Sequence, residues 1–253
     1  MQLKELAESA RAFAPILHAA KTRSRDVSWY PYESLANFDH FAEHFVSSGR
    51  EMFSKLKVGT RILDVGAADG DMSFFLSSLG AEVTIADNAS TNFNDCMGMK
   101  HLQSTLDNNV SLIERDLDFS IEPLGSYDLA IFLGILYHLR NPMKALISLA
   151  ESSETMVVST AVISCLRADG NSIEEENVCM LMPCRQKNND PTNYWYVTPA
   201  SFRVLLKRSG WNILDEFRVG DIGKSTPESG DERIFAYCKR VDNWRDLKIH
   251  HDF

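Results

Sequence analysis

Arg61-Ile-Leu-Asp-Val-Gly-Ala-Ala-Asp-Gly70 opens as an apolar run and breaks into a turn of small residues and acids. The run to Val65 predicts a short buried strand. Gly66 and Gly70 flank a tight strand-to-helix turn, and Asp71 to Leu79 predicts the helix that follows. Working outward, Glu82–Ala86, Val110–Glu114, Tyr127–Leu133 and Met156–Ser159 read as further strands, with helices predicted over 97–107 and 142–151. Tyr127-Asp-Leu-Ala-Ile-Phe-Leu133 is apolar enough to be buried on both faces. Strands alternating with helices at this spacing specify an α/β fold. Its parallel sheet carries helices on both sides, joined by right-handed crossovers.

Upstream, Leu3, Leu6, Ala10, Phe13, Leu17 and Ala20 make one apolar stripe and predict a helix over 2–21. Residues 22–33 break that pattern. A second helix is expected over 34–55, with Ser34 as its N-cap. Downstream, residues 166–193 are polar and turn-rich, including Lys187-Asn-Asn-Asp-Pro-Thr-Asn193, and read as a lid or insertion. A helix follows over 199–209, closed by Gly210. Trp211–Phe217 and Arg233–Cys238 are the last strands; the short, Gly/Pro/Ser-bearing link between them favours an antiparallel pair at a sheet edge.

The 253 residues carry 26 Lys+Arg against 35 Asp+Glu, a net charge of −9. The 44% hydrophobic content excludes wholesale disorder. A pI near 5.3 disfavours nucleic-acid binding by bulk charge. No apolar run is long enough to cross a membrane. The opening residues carry Lys4, Glu5, Glu8 and Arg11 and no apolar leader, so the expectation is a cytoplasmic protein. Five cysteines without a CxxC pair read as reduced thiols. Asn88-Ala-Ser90 and Asn109-Val-Ser111 are treated as chance glycosylation patterns. His40 and His44 lie one helical turn apart but lack a third ligand, as do Cys179 and Cys184, so no metal site is expected. No feature of the sequence sets an oligomeric state.

The turn at 66–70 lacks the Lys and Ser/Thr of a phosphate loop, and its glycine spacing differs from a dinucleotide fingerprint. Asp64 and Asp69 would repel a pyrophosphate and suit a ligand bearing an ammonium or sulfonium. Here the residues resemble the class I S-adenosylmethionine (SAM)-dependent methyltransferases, whose first motif is an acid followed by Gly-x-Gly-x-Gly. This chain has Asp64, Gly66, Ala68 and Gly70, with Ala in the middle position. The resemblance spans roughly 58–240. It implies a Rossmann-like doubly wound sheet of about seven strands with a reversed last strand. The N-terminal helical extension or cap would then occupy 1–57 and the SAM-binding domain 58–253, with a lid or insertion at about 166–196. It also implies that Asp64, Gly66, Ala67, Ala68, Asp69 and Gly70 hold the methionine part of SAM. Asp87 and Asn88 would take the ribose, and Asp116 and Leu117 the adenine. Leu133, Gly134 and Tyr137 would lie beside the sulfonium. For each carboxylate the alternative is a solvated loop acid or a helix cap.

A second resemblance lies in Phe132-Leu-Gly-Ile-Leu-Tyr-His-Leu-Arg-Asn-Pro142. It is similar to the tRNA wobble-uridine carboxymethyltransferases of the 5-oxyacetic acid pathway, with Gly134-Ile-Leu-Tyr-His138, Arg140 and Pro142 in place. Tyr194-Trp195 and Trp29-Tyr-Pro-Tyr32 are also similar. The donor of those enzymes, carboxy-SAM, is met by a Lys, the Tyr of that stretch and a late Arg. Tyr137 and Arg233 match, but Val27–Tyr32 has no Lys, and a long basic domain for tRNA is missing. Ordinary SAM, leaving S-adenosylhomocysteine (SAH), and a small-molecule acceptor are therefore expected over carboxy-SAM.

Methyl transfer needs donor and acceptor aligned, and a hydroxyl acceptor also needs its proton removed. His138 is the candidate base, with Tyr137 beside it; the alternative is a His that only caps a carbonyl at a helix start. Trp29, Tyr30, Tyr32, Tyr194 and Trp195, with Arg233, are expected to shape the acceptor pocket. The alternative for the aromatic residues is core packing. Two other classes stay open: a tRNA-modifying enzyme, and a SAM-binding protein without catalysis or a related fold for another nucleotide.

Overall fold

The computed structural model describes residues 2–118, 125–168, 170–186 and 189–242. Lys187 and Asn188 of the turn-rich stretch lie outside the described residues. The chain divides into two compact units, Met1–Asp116 with Tyr127–Ile131, and Leu117–Ser126 with Phe132–Phe253.

The first unit begins with helix α1 (Leu3–Lys21), which buries Leu3, Leu6, Ala7, Ala10, Leu17 and Ala20. The Gln2 N–H donates to Glu5 Oε2 at 3.0 Å and ties off its start. The continuous helix expected over 34–55 does not form. A 3-10 turn at Ser34–Ala36 leads into α2 (Asn37–His44), and a second 3-10 turn covers Ser48–Glu51. Phe45 leaves the helix with ψ 127° and is completely buried, while Ser47-Ser48-Gly49 favour a turn. Tertiary burial of Phe45 outweighs local helical preference. Phe38, Phe41, Phe53 and Phe75 join it in an aromatic core; Phe38 lies 5.1 Å from Phe75 between ring centres.

Strands β1 (Arg61–Val65), β2 (Glu82–Asp87) and β3 (Val110–Glu114) pair in parallel. Helices α3 (Asp71–Ser78) and α4 (Met97–Thr105) connect them. Strand β4 (Tyr127–Leu133) pairs with β1 on its other side. The register sets Asp64 opposite Ile85 and Asp87 opposite Glu114, so three strand ends finish side by side.

The second unit contains α5 (Pro142–Ser152), β5 (Ser153–Val162), β6 (Cys179–Leu181), β7 (Trp195–Val197), α6 (Pro199–Arg208), β8 (Trp211–Gly220) and β9 (Glu232–Arg240). Thr198 Oγ1 accepts the Ser201 N–H at 3.2 Å and starts α6, with Pro199 in the first turn. Strand β9 runs antiparallel to both β5 and β8. The expected antiparallel pair is present, with β9 lying between β5 and β8. Val162, the last residue of β5, is paired twice: with Glu232 of β9 and, in parallel, with Val197 of β7. β6 pairs antiparallel with β7.

The strand order is β3-β2-β1-β4-β5-β7-β6, with β9 on β5 and β8 on β9. Among the described residues this mixed, Rossmann-like sheet has nine strands, the short β6 and β7 adding to the expected set of about seven. No helix among the described residues is long and apolar enough to cross a membrane. All five cysteines are free.

Candidate active site

Asp64, near the end of β1, is 4% exposed. Ser73 on α3 donates its hydroxyl hydrogen to Asp64 Oδ2 at 2.6 Å. Burial pushes the Asp64 carboxyl up to about 7; the Ser73 hydrogen bond opposes the rise and the Asp87 charge adds to it. The chain then turns through left-handed backbone at Gly66 (φ 67°), Ala68 (φ 57°) and Gly70 (φ 85°). The Gly66 N–H donates to the Ala86 carbonyl at 3.0 Å and holds the turn against β2. A Cβ at Gly70 would stand 2.9 Å from Phe74 Cε2, so both conformation and space require glycine there.

Asp87 ends β2, half-buried. It accepts the Asn88 N–H at 2.8 Å and Asn92 Nδ2 at 3.3 Å. Burial raises this carboxyl too, and those hydrogen bonds hold it back. Asn92 Nδ2 also reaches the Ala68 carbonyl at 3.4 Å, bracing the glycine turn against the loop after β2. Asp116 comes two residues after Glu114, the β3 partner of Asp87, and is half-buried, as is Leu117. The first unit thus gathers Asp64, the 66–70 turn, Asp87, Asn88 and Asp116 at the carboxyl ends of three adjacent parallel strands. Ligands bind at this position in open α/β sheets.

Asp69 is 2% exposed, and its carboxylate is engaged within the protein. It accepts the Tyr30 N–H at 2.9 Å and Asn94 Nδ2 at 2.8 Å, and Lys21 Nζ lies 3.5 Å away. Lys21 also lies 2.8 Å from Asp71, with Trp29 beneath its ammonium at 5.3 Å. Trp29 meets His101 of α4 edge-on. The Tyr30 hydroxyl accepts the Phe93 N–H at 2.9 Å, and burial pushes that phenol up to about 12. The Tyr30 ring touches Tyr32 and Phe93, both exposed. Trp29 and Tyr30 therefore fasten the N-terminal segment to the turn and to the loop after β2. Lys21, Asn92 and Asn94 are missing from the sequence-based expectations. They are distant polar residues whose roles arise only from the fold.

In the second unit, Leu133 ends β4 and Gly134 follows it. The Gly134 N–H donates to the Ser159 carbonyl at 3.1 Å, and φ there is 72°. A 3-10 turn at Leu136–His138 follows. The Arg233 guanidinium and the Tyr137 hydroxyl both stand beside Gly134, and the phenol helps to raise the Arg233 pKa. The Tyr137 ring stacks parallel to Tyr196, a residue the sequence reading did not select, and lies 4.1 Å from His138. The Tyr194 N–H donates to the Tyr137 carbonyl at 2.8 Å, and Arg140 Nε donates to the Tyr194 hydroxyl at 3.2 Å. Trp195 buries its indole N–H without a hydrogen-bond partner among the described residues, near Leu136, Tyr137 and Thr160. His138 Nδ1 meets Thr192, and burial lowers the imidazole pKa from its ordinary value. The structure thus places Leu133, Gly134, Tyr137, His138, Tyr194, Trp195 and Arg233 in one unit, and Trp29, Tyr30 and Tyr32 in the other. Among the described residues no cluster of His, Cys, Asp or Glu is arranged to hold a metal ion.

A profile of the methyltransferase domain family matches residues 38–216. The N-terminal domain of EvdMO1, crystallised with SAH bound, is 19% identical over 90% of this chain and 97% of its own, with a TM-score of 0.55. A putative SAM-dependent methyltransferase from Listeria monocytogenes is 12% identical over 76% of this chain and 98% of its own, with a TM-score of 0.52. The [4+2]-cyclase SpnF is 13% identical over 91% and 93%, with a TM-score of 0.56. At these identities the likeness concerns the fold, and SpnF is named for a different reaction. No curated protein sequence matches this chain.

Proposed function

The chain belongs to the methyltransferase domain family, and from that premise we propose that it transfers the methyl group of SAM to an oxygen or nitrogen of a small molecule. One observation carries this reading: buried Asp64, the 66–70 turn, Asp87 and Asp116 share the ends of adjacent parallel strands. The chemistry of that set fits the donor. Buried carboxylates favour an ammonium and accept hydrogen bonds from ribose hydroxyls, while repelling phosphates. When bound, SAM supplies a methyl group already activated on a sulfonium sulfur. Asp64 and the 66–70 turn take its amino-acid end, Asp87 and Asn88 the ribose, and Asp116 and Leu117 the adenine. Leu133 and Gly134 lie beside the reacting carbon.

Tyr137, Tyr194, Trp195 and Arg233, together with Trp29, Tyr30 and Tyr32, orient the acceptor, and His138 removes its proton. The stretch at about 166–196 serves the acceptor side as a lid or insertion. Titration of the purified protein with SAH by calorimetry tests the donor assignment. Saturable heat that is lost in Asp87→Ala supports it; no heat with SAH or SAM defeats it.

A second reading, carboxy-SAM as donor and a tRNA wobble uridine as acceptor, gains from one feature. The Tyr137 hydroxyl and the Arg233 guanidinium lie together beside Gly134. Such a pair would meet an added carboxylate. Mass spectrometry of small molecules co-purified with the protein separates the two donors.

A further inference from the structure

His138 Nδ1 makes two contacts that together decide where its proton sits. The Thr192 carbonyl oxygen lies 3.2 Å away. A carbonyl only accepts, so this contact favours a hydrogen on Nδ1. Thr192 Oγ1 lies 2.9 Å from the same nitrogen. That hydroxyl gives its own hydrogen to Asp190 Oδ1 at 2.6 Å, and the same carboxylate oxygen accepts the Thr192 N–H at 2.8 Å. With its one hydrogen committed to Asp190, the hydroxyl turns a lone pair to the imidazole. Both contacts therefore favour Nδ1–H, which leaves Nε2 with its lone pair. No described residue hydrogen-bonds Nε2.

We propose that Thr192 and Asp190 are positioning residues that lock His138 in the Nδ1–H tautomer and present Nε2 as the proton acceptor for the methyl-accepting group. This rests on the methyl-transfer reading above. In that step the acceptor's O–H or N–H bond breaks and Nε2 takes the proton. The freed electron pair closes on the methyl carbon, and the old carbon–sulfur pair stays with sulfur. The imidazolium later returns its proton to solvent. A cap on a carbonyl would need only the Thr192 oxygen; the link onward to Asp190 is what a tautomer lock requires.

The charged and titratable groups facing His138 are Asp190, Arg233 and Tyr137. Burial lowers the imidazole pKa most, Asp190 and the Thr192 carbonyl oppose that, and Arg233 adds to the lowering. The ring is therefore neutral and able to accept a proton at pH 7.

The test is nitrogen-15 NMR of histidine-labelled protein, with the His138 signals assigned by their loss in His138→Gln. The expected result is a protonated-type Nδ1 and an unprotonated-type Nε2. Thr192→Val keeps the longer carbonyl contact but loses the closer hydroxyl acceptor, so it should weaken the preference for Nδ1–H and lower kcat about tenfold or more while the SAH affinity stays unchanged. Thr192→Ser should restore the tautomer and most of the turnover. Asp190→Asn should move the acid limb of the kcat/KM profile to lower pH, because it removes a charge that raises the imidazole pKa. A wild-type Nε2–H tautomer, or a Thr192→Val protein with unaltered tautomer and pH profile, overturns the proposal. The methyl-transfer reading fails by a different measurement, the absence of SAH binding.

Discussion

The backbone N–H of Tyr30 donates to Asp69 Oδ2 at 2.9 Å, joining two residues 39 positions apart. Lys21 completes the knot, its side chain 15% exposed between Asp69 and Asp71. Removing one partner of a buried ion cluster leaves the other charges without compensation. Lys21→Met should therefore lower stability by about 3 kcal/mol, measured by urea unfolding. Tyr30→Phe, which loses only the acceptor for the Phe93 N–H, should cost about 1 kcal/mol.

Two small residues of the turn, Ala68 and Gly70, respond in opposite directions. Ala68 holds φ at 57°, a conformation that costs a residue with a side chain about 1 kcal/mol. Ala68→Gly should leave the melting temperature unchanged or raise it slightly, since relief of strain offsets the added freedom of the unfolded chain. Gly70→Ala adds a Cβ against Phe74 in strained backbone, and should cost about 2 kcal/mol or more. Parallel thermal melts compare the two.

Asp64 couples the fold to pH. Its folded pKa of about 7 lies above the ordinary 3.8. Stability from this group is fully present below about pH 3.8 and is lost as pH rises through about 7. Asp64→Asn should flatten that dependence in denaturant titrations from pH 5 to 8. A cationic ligand favours the carboxylate, so SAH binding near pH 6 should release a proton. Calorimetry in two buffers of different protonation heat measures that release, and Asn at this position should abolish it and weaken binding about tenfold or more.

On the acceptor side, Tyr194→Ala should raise the acceptor KM while the SAH affinity stays unchanged. Tyr194 lies with Tyr137 and Arg140, in the other unit from Asp64 and Asp87. Equal loss of both affinities would mark a destabilised protein.

Trp211 is completely buried, and its indole N–H donates to the Leu146 carbonyl at 2.9 Å. Trp211→Phe removes that donor and leaves a space, so a loss of about 2–3 kcal/mol is expected in urea unfolding.

Much of the fold is legible along the chain because its signals are local. Val110–Glu114 and Tyr127–Leu133 are strands over the span their apolar runs predict. The acids at 64, 87 and 116 stand out because each lies at or near the end of such a run. What escapes depends on distant partners. Cys179–Leu181 and Trp195–Val197 are only three residues each, too short to show a period, and Trp195–Val197 becomes a strand by pairing with the tip of β5. The break at Phe45 escapes because the Phe repeat is continuous while the backbone beneath it turns. Lys21 with Asp71, and Thr192 with His138, lie 50 and 54 residues apart, and no spacing rule connects such pairs.

The double pairing of Val162 reaches beyond the geometry of one strand. The chain leaves β5 at Val162 and, after the short strand β6, ends β7 at Val197, and these two residues are ladder neighbours. A segment whose exit and entry points already touch can be lengthened, shortened or replaced without moving either anchor, because closing a longer loop costs little more. Evolution can therefore remodel the 163–194 excursion, where Asp190, Thr192 and Tyr194 reside, while the β5 and β7 anchors stay put. Diversification among relatives of this chain should concentrate there, with new chemistries grafted onto an unchanged frame.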